Sequence, residues 1–166
     1  MILRYLTILC SCLTLLSFGT QADETVQFTP PEGWLMAKGE TLPTNVQVMV
    51  VGKGGKEFPP SINLSTEEFG GSVKDYLKIV KSINEAHGAE WKDLGPIITE
   101  AGEGSLSQVD TQTEWGAVKM MHVILVRDGV TYILTAAALR DEFPKFYKDF
   151  FRSLRSLRFN EASVTN

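Results

Sequence analysis

"VKMMHVILVRDGVTYILTAAA", Val118 to Ala138, is the stretch on which the fold turns. From Ala117 to Val126 it is apolar on both faces, as a strand in the middle of a sheet would be. Asp128 and Gly129 follow, and both tolerate the positive φ that a two-residue hairpin turn requires. Val130 to Ala138 then runs back beside the first strand. The stretch therefore predicts a central antiparallel pair, whose apolar faces need covering by other parts of the chain.

The obvious cover lies just downstream. In "DEFPKFYKDFFRSLRSLRF", Phe143, Phe146, Tyr147, Phe150, Phe151, Leu154 and Leu157 recur at the spacings of one helix face. Asp141 is the expected N-cap, and Pro144 is tolerated because it falls in the first turn. Lys145, Lys148, Arg152 and Arg155 take the opposite side. That leaves a solvated outer face, or else a basic surface for an anionic membrane. An aromatic face this wide is expected to lie flat on the sheet.

Upstream, "SVKDYLKIVKSINEAHG" predicts a first helix. Ser72 caps it with Asp75 three residues on, and Val73, Tyr76, Leu77, Val80 and Ile83 make its apolar stripe. Gly88 ends it, and His87 in the last turn reads as a surface capping histidine. "VQVMVVG" (Val46 to Gly52) and "SINLS" (Ser61 to Ser65) alternate like strands. "SLSQVDTQTEW", Ser105 to Trp115, is polar enough for an exposed or edge strand. In "VQFTPPEGWLM" a short strand is stopped by Pro30 and Pro31, Gly33 permits a turn, and Trp34 returns to the core as an anchor.

The first 22 residues read as a cleaved secretory signal. Arg4 gives the positive start, Tyr5 to Phe18 the apolar run, and Thr20 and Ala22 the small residues before cleavage. The run is shorter than the roughly twenty residues that span a bilayer. Residues 23–166 then form a single domain, periplasmic or secreted. Both cysteines, Cys10 and Cys12, fall in the leader, so the domain relies on its core rather than on disulfides. "LCSC" ending at Cys12 also resembles a lipoprotein cleavage site, and the alternative is a lipid anchor there. Membrane contact is expected only through that lipid or through the C-terminal helix.

Much chemistry is missing. The net charge of −4 argues against nucleic acid as a partner. The domain has no cysteine for a nucleophile, a redox pair or a thiolate metal site. "GKGGK" lacks the spacing and context of a phosphate loop. His122 could join Asp110 and a nearby serine, but no GxSxG elbow is present, and a satisfied, partly buried histidine is the simpler reading. Glu100, Glu103, Asp110 and Glu114 do not follow a calcium-loop pattern and read as an acidic rim on an edge strand. Asn63 in "NLS" is a formal glycosylation sequon. No catalytic, cofactor-binding or metal-ligating residue is assigned.

The order of these parts resembles the PsbP-like superfamily: "PPEGW", the Val-rich strand, "INLS", the "SVKDYLKIVKS" helix, the long hairpin and the closing "FFRSLRSLRF". That superfamily includes the photosystem II extrinsic protein, a Ran-binding nuclear import factor and bacterial envelope proteins of the DcrB type. The resemblance covers roughly Val26 to Phe159. It implies an α+β fold, an α/β/α sandwich with a central, largely antiparallel sheet flanked by helices. It also implies a non-enzymatic accessory or binding role, with another envelope or exported protein as partner. Two alternatives stand beside it: a small-ligand carrier using Trp34 or Trp115, and a hydrolase or metal-dependent enzyme using His122 and nearby carboxylates.

The leader generates the first prediction. Mass spectrometry of the exported chain should find Asp23 at its N-terminus, unchanged by Cys12→Ser. A diacylglyceryl group on Cys12 would establish the lipid-anchored alternative instead.

Overall fold

The computed structural model describes residues 25–38, 42–53 and 58–160. The leader, with Cys10, Cys12 and Ala22, lies outside them. Nine strands and two helices appear among the described residues. In chain order they are β1 (Thr25–Gln27), β2 (Leu35–Met36), β3 (Val46–Val51), β4 (Ser61–Glu68), α1 (Val73–Ala86), β5 (Glu90–Thr99) and β6 (Gly102–Thr113). They continue with β7 (Gly116–Arg127), β8 (Val130–Leu139), α2 (Phe143–Arg155) and β9 (Arg158–Asn160).

Seven strands form one antiparallel sheet in the order β2-β3-β4-β8-β7-β6-β5. The expected hairpin is its centre. Asp128 at φ 51° and Gly129 at φ 78° make the tight turn, and β7 pairs with β8 from Val118–Leu139 to Arg127–Val130. β1 and β9 form a separate two-stranded ladder that joins the two ends of the domain. The fold is α+β, with the sheet flanked by helices.

α2 covers one face. Phe143, Phe150 and Leu154 are buried with Ile62, Leu64, Met121, Val123 and Leu134, and Leu157 just beyond the helix joins them. At roughly 2 kcal/mol per large apolar side chain withdrawn from water, this layer is a leading contributor to stability. Trp34 anchors the opening segment here, its ring edge-on to Phe146 at 6.1 Å and Phe150 at 5.9 Å. A Cβ on Gly52 would lie 2.7 Å from that indole, so the residue beside Trp34 has to be glycine. α1 lies against β5 and β7. Residues of the opposite strand parity, Val109, Val118 and Ile124, are buried outside the α2 cluster, as a second covered face requires.

Four expectations need correction. β6 is an interior strand, and the edge on that side of the sheet is β5, where Pro96 costs no ladder partner on its free side. The carboxylates of β6 are therefore not an edge rim. Asp141 does not cap α2: Glu142 occupies that position in a helical conformation with no side-chain cap bond. The final helix stops at Arg155, because the chain turns to pair β9 with β1. In α1 only Tyr76 is buried, and Ile83 is 53% exposed, since the helix meets the sheet along a narrow contact. The caps of α1 match expectation. The Asp75 N–H donates to Ser72 Oγ at 3.2 Å, and His87 Nδ1 lies 2.7 Å from the Ile83 carbonyl.

Phe150→Ala should lower stability by about 3–5 kcal/mol in urea unfolding. Tyr147→Ala, whose ring is 49% exposed, should cost under about 1 kcal/mol. Equal losses would show that α2 is not seated through Phe150.

Candidate functional site

Strand pairing decides which of the chemically interesting residues meet. Ser107 pairs with His122, and Asp110 pairs with Lys119. His122 and Lys119 are three positions apart on one strand, so they point to opposite faces of the sheet. His122 and Asp110 therefore cannot act together, and the His122–carboxylate arrangement considered from sequence is not formed. The other carboxylates are scattered. Glu100 and Glu103 sit at one end of the β5–β6 hairpin and Glu114 at the far end of β6, roughly 35 Å away for a strand of this length. Among the described residues no group of three or more His, Cys, Asp or Glu side chains could hold a metal ion.

His122 instead belongs to a polar row. Asn63, Thr135, His122, Ser107 and Asp93 fall opposite one another across β4, β8, β7, β6 and β5. Its Nδ1 lies 2.9 Å from Thr135 Oγ1. The Ser107 hydroxyl is buried without a partner among the described residues. Part of the imidazole remains accessible, but burial disfavours its charged form and pushes the pKa down to about 4. Sequence reasoning recognised the partly buried histidine; the row itself needs the register of five strands.

Asp110, on the α2 face, is largely buried and shared by two cations. Arg140 Nε lies 3.1 Å and Lys119 Nζ 3.8 Å from its Oδ1, and Gln108 donates to Oδ2. Arg140, Lys119 and Gln108 border a cavity of about 540 Å³ between α2 and strands β5 to β7. Its walls are apolar, from Leu94, Leu106, Met121, Phe143 and Phe151, with Tyr147 at the opening. Lys119, Lys148 and Arg140 ring it. Lys148 has no ion pair among the described residues. The groove continues past Phe151 toward Arg155, whose guanidinium lies 5.9 Å from the Phe151 ring. The volume falls within the usual range for ligand sites. Its α2 wall was visible in sequence as the aromatic and basic faces of that helix; the opposing wall combines Leu94 of β5 with Leu106 and Gln108 of β6 and Lys119 and Met121 of β7, which only strand pairing brings together.

Trp34 is packing, as expected, and borders none of the cavities described here. Trp115 lies at the β6–β7 turn, 44% exposed, with its ring centroid 5.6 Å from that of Phe58.

Known structures place this architecture. CyanoP, the cyanobacterial PsbP of Synechocystis, matches with a TM-score of 0.53 at 12% identity, over 89% of this chain and 98% of its own. The fold is PsbP-like. LpqN of Mycobacterium tuberculosis, described as involved in cell envelope biogenesis, matches with a TM-score of 0.59 at 15% identity, covering 86% of this chain and 87% of its own. PA94 of Pseudomonas aeruginosa, whose function is unknown, gives 0.57 at 12% identity, over 75% of this chain and 95% of its own. No protein-family model and no curated protein sequence matches. At such identities the PsbP-like likeness is one of fold. Among the described residues, no helix is long and apolar enough to cross a membrane.

The His122 environment sets a pH dependence for this PsbP-like domain. Its folded pKa is below the unfolded value of about 6.5, so the unfolded chain binds the extra proton first. Stability should fall as pH drops from about 6.5 toward 4, by on the order of 2 kcal/mol once the accessible part of the ring is allowed for. Urea unfolding of wild type and His122→Gln should diverge across that window, the variant losing less. Parallel profiles would show that the imidazole titrates freely.

Proposed function

We propose that the protein is an exported accessory protein of the cell envelope that works by binding, with no reaction of its own, and that it binds through the groove between α2 and β5. The observation that carries this reading is the pairing of an apolar cavity of about 540 Å³ with a cationic rim on a chain of net charge −4. Positive charge gathered beside an apolar slot on an otherwise acidic molecule favours an occupant that is apolar and negatively charged. An acidic, apolar segment of another envelope protein has that character. The apolar leader, cleaved after Ala22 into the periplasm or outside the cell, supports the compartment. The likeness to LpqN is compatible with it.

A second reading rests on the apolar lining of this half-open cavity beside α2. A small amphiphile with an anionic head would fill the same space, its chain against Leu106 and Met121 and its head at Lys148. This is the ligand-carrier alternative moved from the tryptophans to the α2 groove.

A photo-crosslinking amino acid placed at Tyr147, in the middle of the groove, separates the readings in intact cells. The expected result is one discrete protein adduct, abolished by Lys148→Glu with Arg155→Glu and absent from a control probe at Ile79. An adduct of lipid or small-molecule mass would replace the protein partner with the carrier. Adducts no different from the control would overturn both.

A further inference from the structure

At the junction between β8 and α2, adjacent residues send opposite charges to different places. Arg140 turns to Asp110 and the groove. Asp141 and Glu142, the next two residues, border a separate cavity of about 500 Å³ together with Phe58, Trp115 and Leu139. The chain thus keeps positive charge on one side of this corner and negative charge on the other.

The second cavity has the parts of a cation site. Phe58 and Trp115 bring two ring faces together with centroids 5.6 Å apart and planes inclined at 36°. Trp115 is 44% exposed, so part of its surface is open to an incoming group. Aromatic faces attract a cation through their quadrupole, and indole does so best. Asp141 makes no ion pair among the described residues. Glu142 is half used: Oε1 meets Lys145 at 3.4 Å, while Oε2 is buried without a donor among the described residues. The Lys145 side chain is 66% exposed, so that ion pair is weak and easily displaced. A carboxylate oxygen left without a donor is costly, and an incoming N–H group removes the cost.

We propose that this cavity binds an organic cation that carries N–H donors, a primary ammonium or a guanidinium group. The charged group packs against Trp115 and Phe58 and donates a hydrogen bond to Glu142 with a small turn of its side chain, while Asp141 adds attraction from the rim. A quaternary ammonium satisfies the rings and leaves Glu142 Oε2 without a donor, so the site discriminates against it. The cation can be borne by a free polyamine or by a lysine or arginine side chain of a peptide. The site is separate from the α2–β5 groove and stands without it.

The test follows the indole N–H signal of Trp115 in NMR titrations of the chain from Asp23. The probes are spermidine, a lysine-containing tripeptide with blocked ends, and tetramethylammonium. Saturable shifts at Trp115 are expected with spermidine or the tripeptide, the stronger of the two naming the source. Tetramethylammonium and the variant Glu142→Gln should each bind about tenfold more weakly, the worth of one charge-assisted hydrogen bond. The Trp34 signal should stay in place throughout, which reports an intact fold in the variant. No saturable shift with either amine would overturn the proposal. So would equal binding of tetramethylammonium, or an unchanged affinity in Glu142→Gln.

Discussion

Phe150, fully buried between the sheet and the edge of Trp34, is the contact around which the molecule is arranged. It holds α2 on the sheet, and α2 in turn receives the opening segment. The Thr29 N–H donates to Ser156 Oγ at 2.7 Å, and Ser153 Oγ donates to the Thr29 carbonyl at 2.8 Å. Those two bonds occupy both polar groups of one backbone residue between prolines and strand, where the ladder has ended. The ladder of β1 with β9 continues the same closure to Asn160. A chain without cysteines from Asp23 onward thereby joins its two ends by packing and hydrogen bonds alone.

Everything of interest on the outside follows from where that contact puts α2. The helix is wide enough in its apolar face that Phe150 and Leu154 can be fully buried while Phe151 and Tyr147 remain along its flank. The flank faces β5, and the gap between them is the groove. The same seating places the start of α2 against the β6–β7 turn, where Trp115 lies. Arg140 and Glu142, two residues apart, consequently serve two unlike cavities.

The legible parts of the sequence were those with strong local signals. The Asp128–Gly129 turn needs positive φ at both residues, and few sequences other than Asp-Gly supply it. The spacing of Phe143 to Leu154 admits only one helix face, and Ser72 and His87 satisfy helix ends within a turn of themselves. The less legible parts lacked such signals. β5 carries Gly95 and Pro96 and an interrupted pattern, yet it becomes a ten-residue strand because β6 pairs with it on both sides of a register shift between Asp93 and Gly95. β6 looked like an edge because its serines and glutamines are polar, yet it lies inside because β7 and β5 satisfy its backbone from both sides. The candidate sites were legible only in pieces: the basic flank of α2 could be seen, its opposing wall could not.

Taken alone, the sequence determined the central hairpin, the two caps of α1, the aromatic face of α2 and the acidic balance, because each depends on residues near one another in the chain. The tertiary structure decided which residues share a face. Since side chains alternate along a strand, only the pairing register could separate His122 from Asp110 or bring Asn63, Thr135, His122 and Ser107 into one row. It alone could set Phe58 against Trp115 beside Glu142, because those three come from segments that meet only when the sheet and α2 are in place.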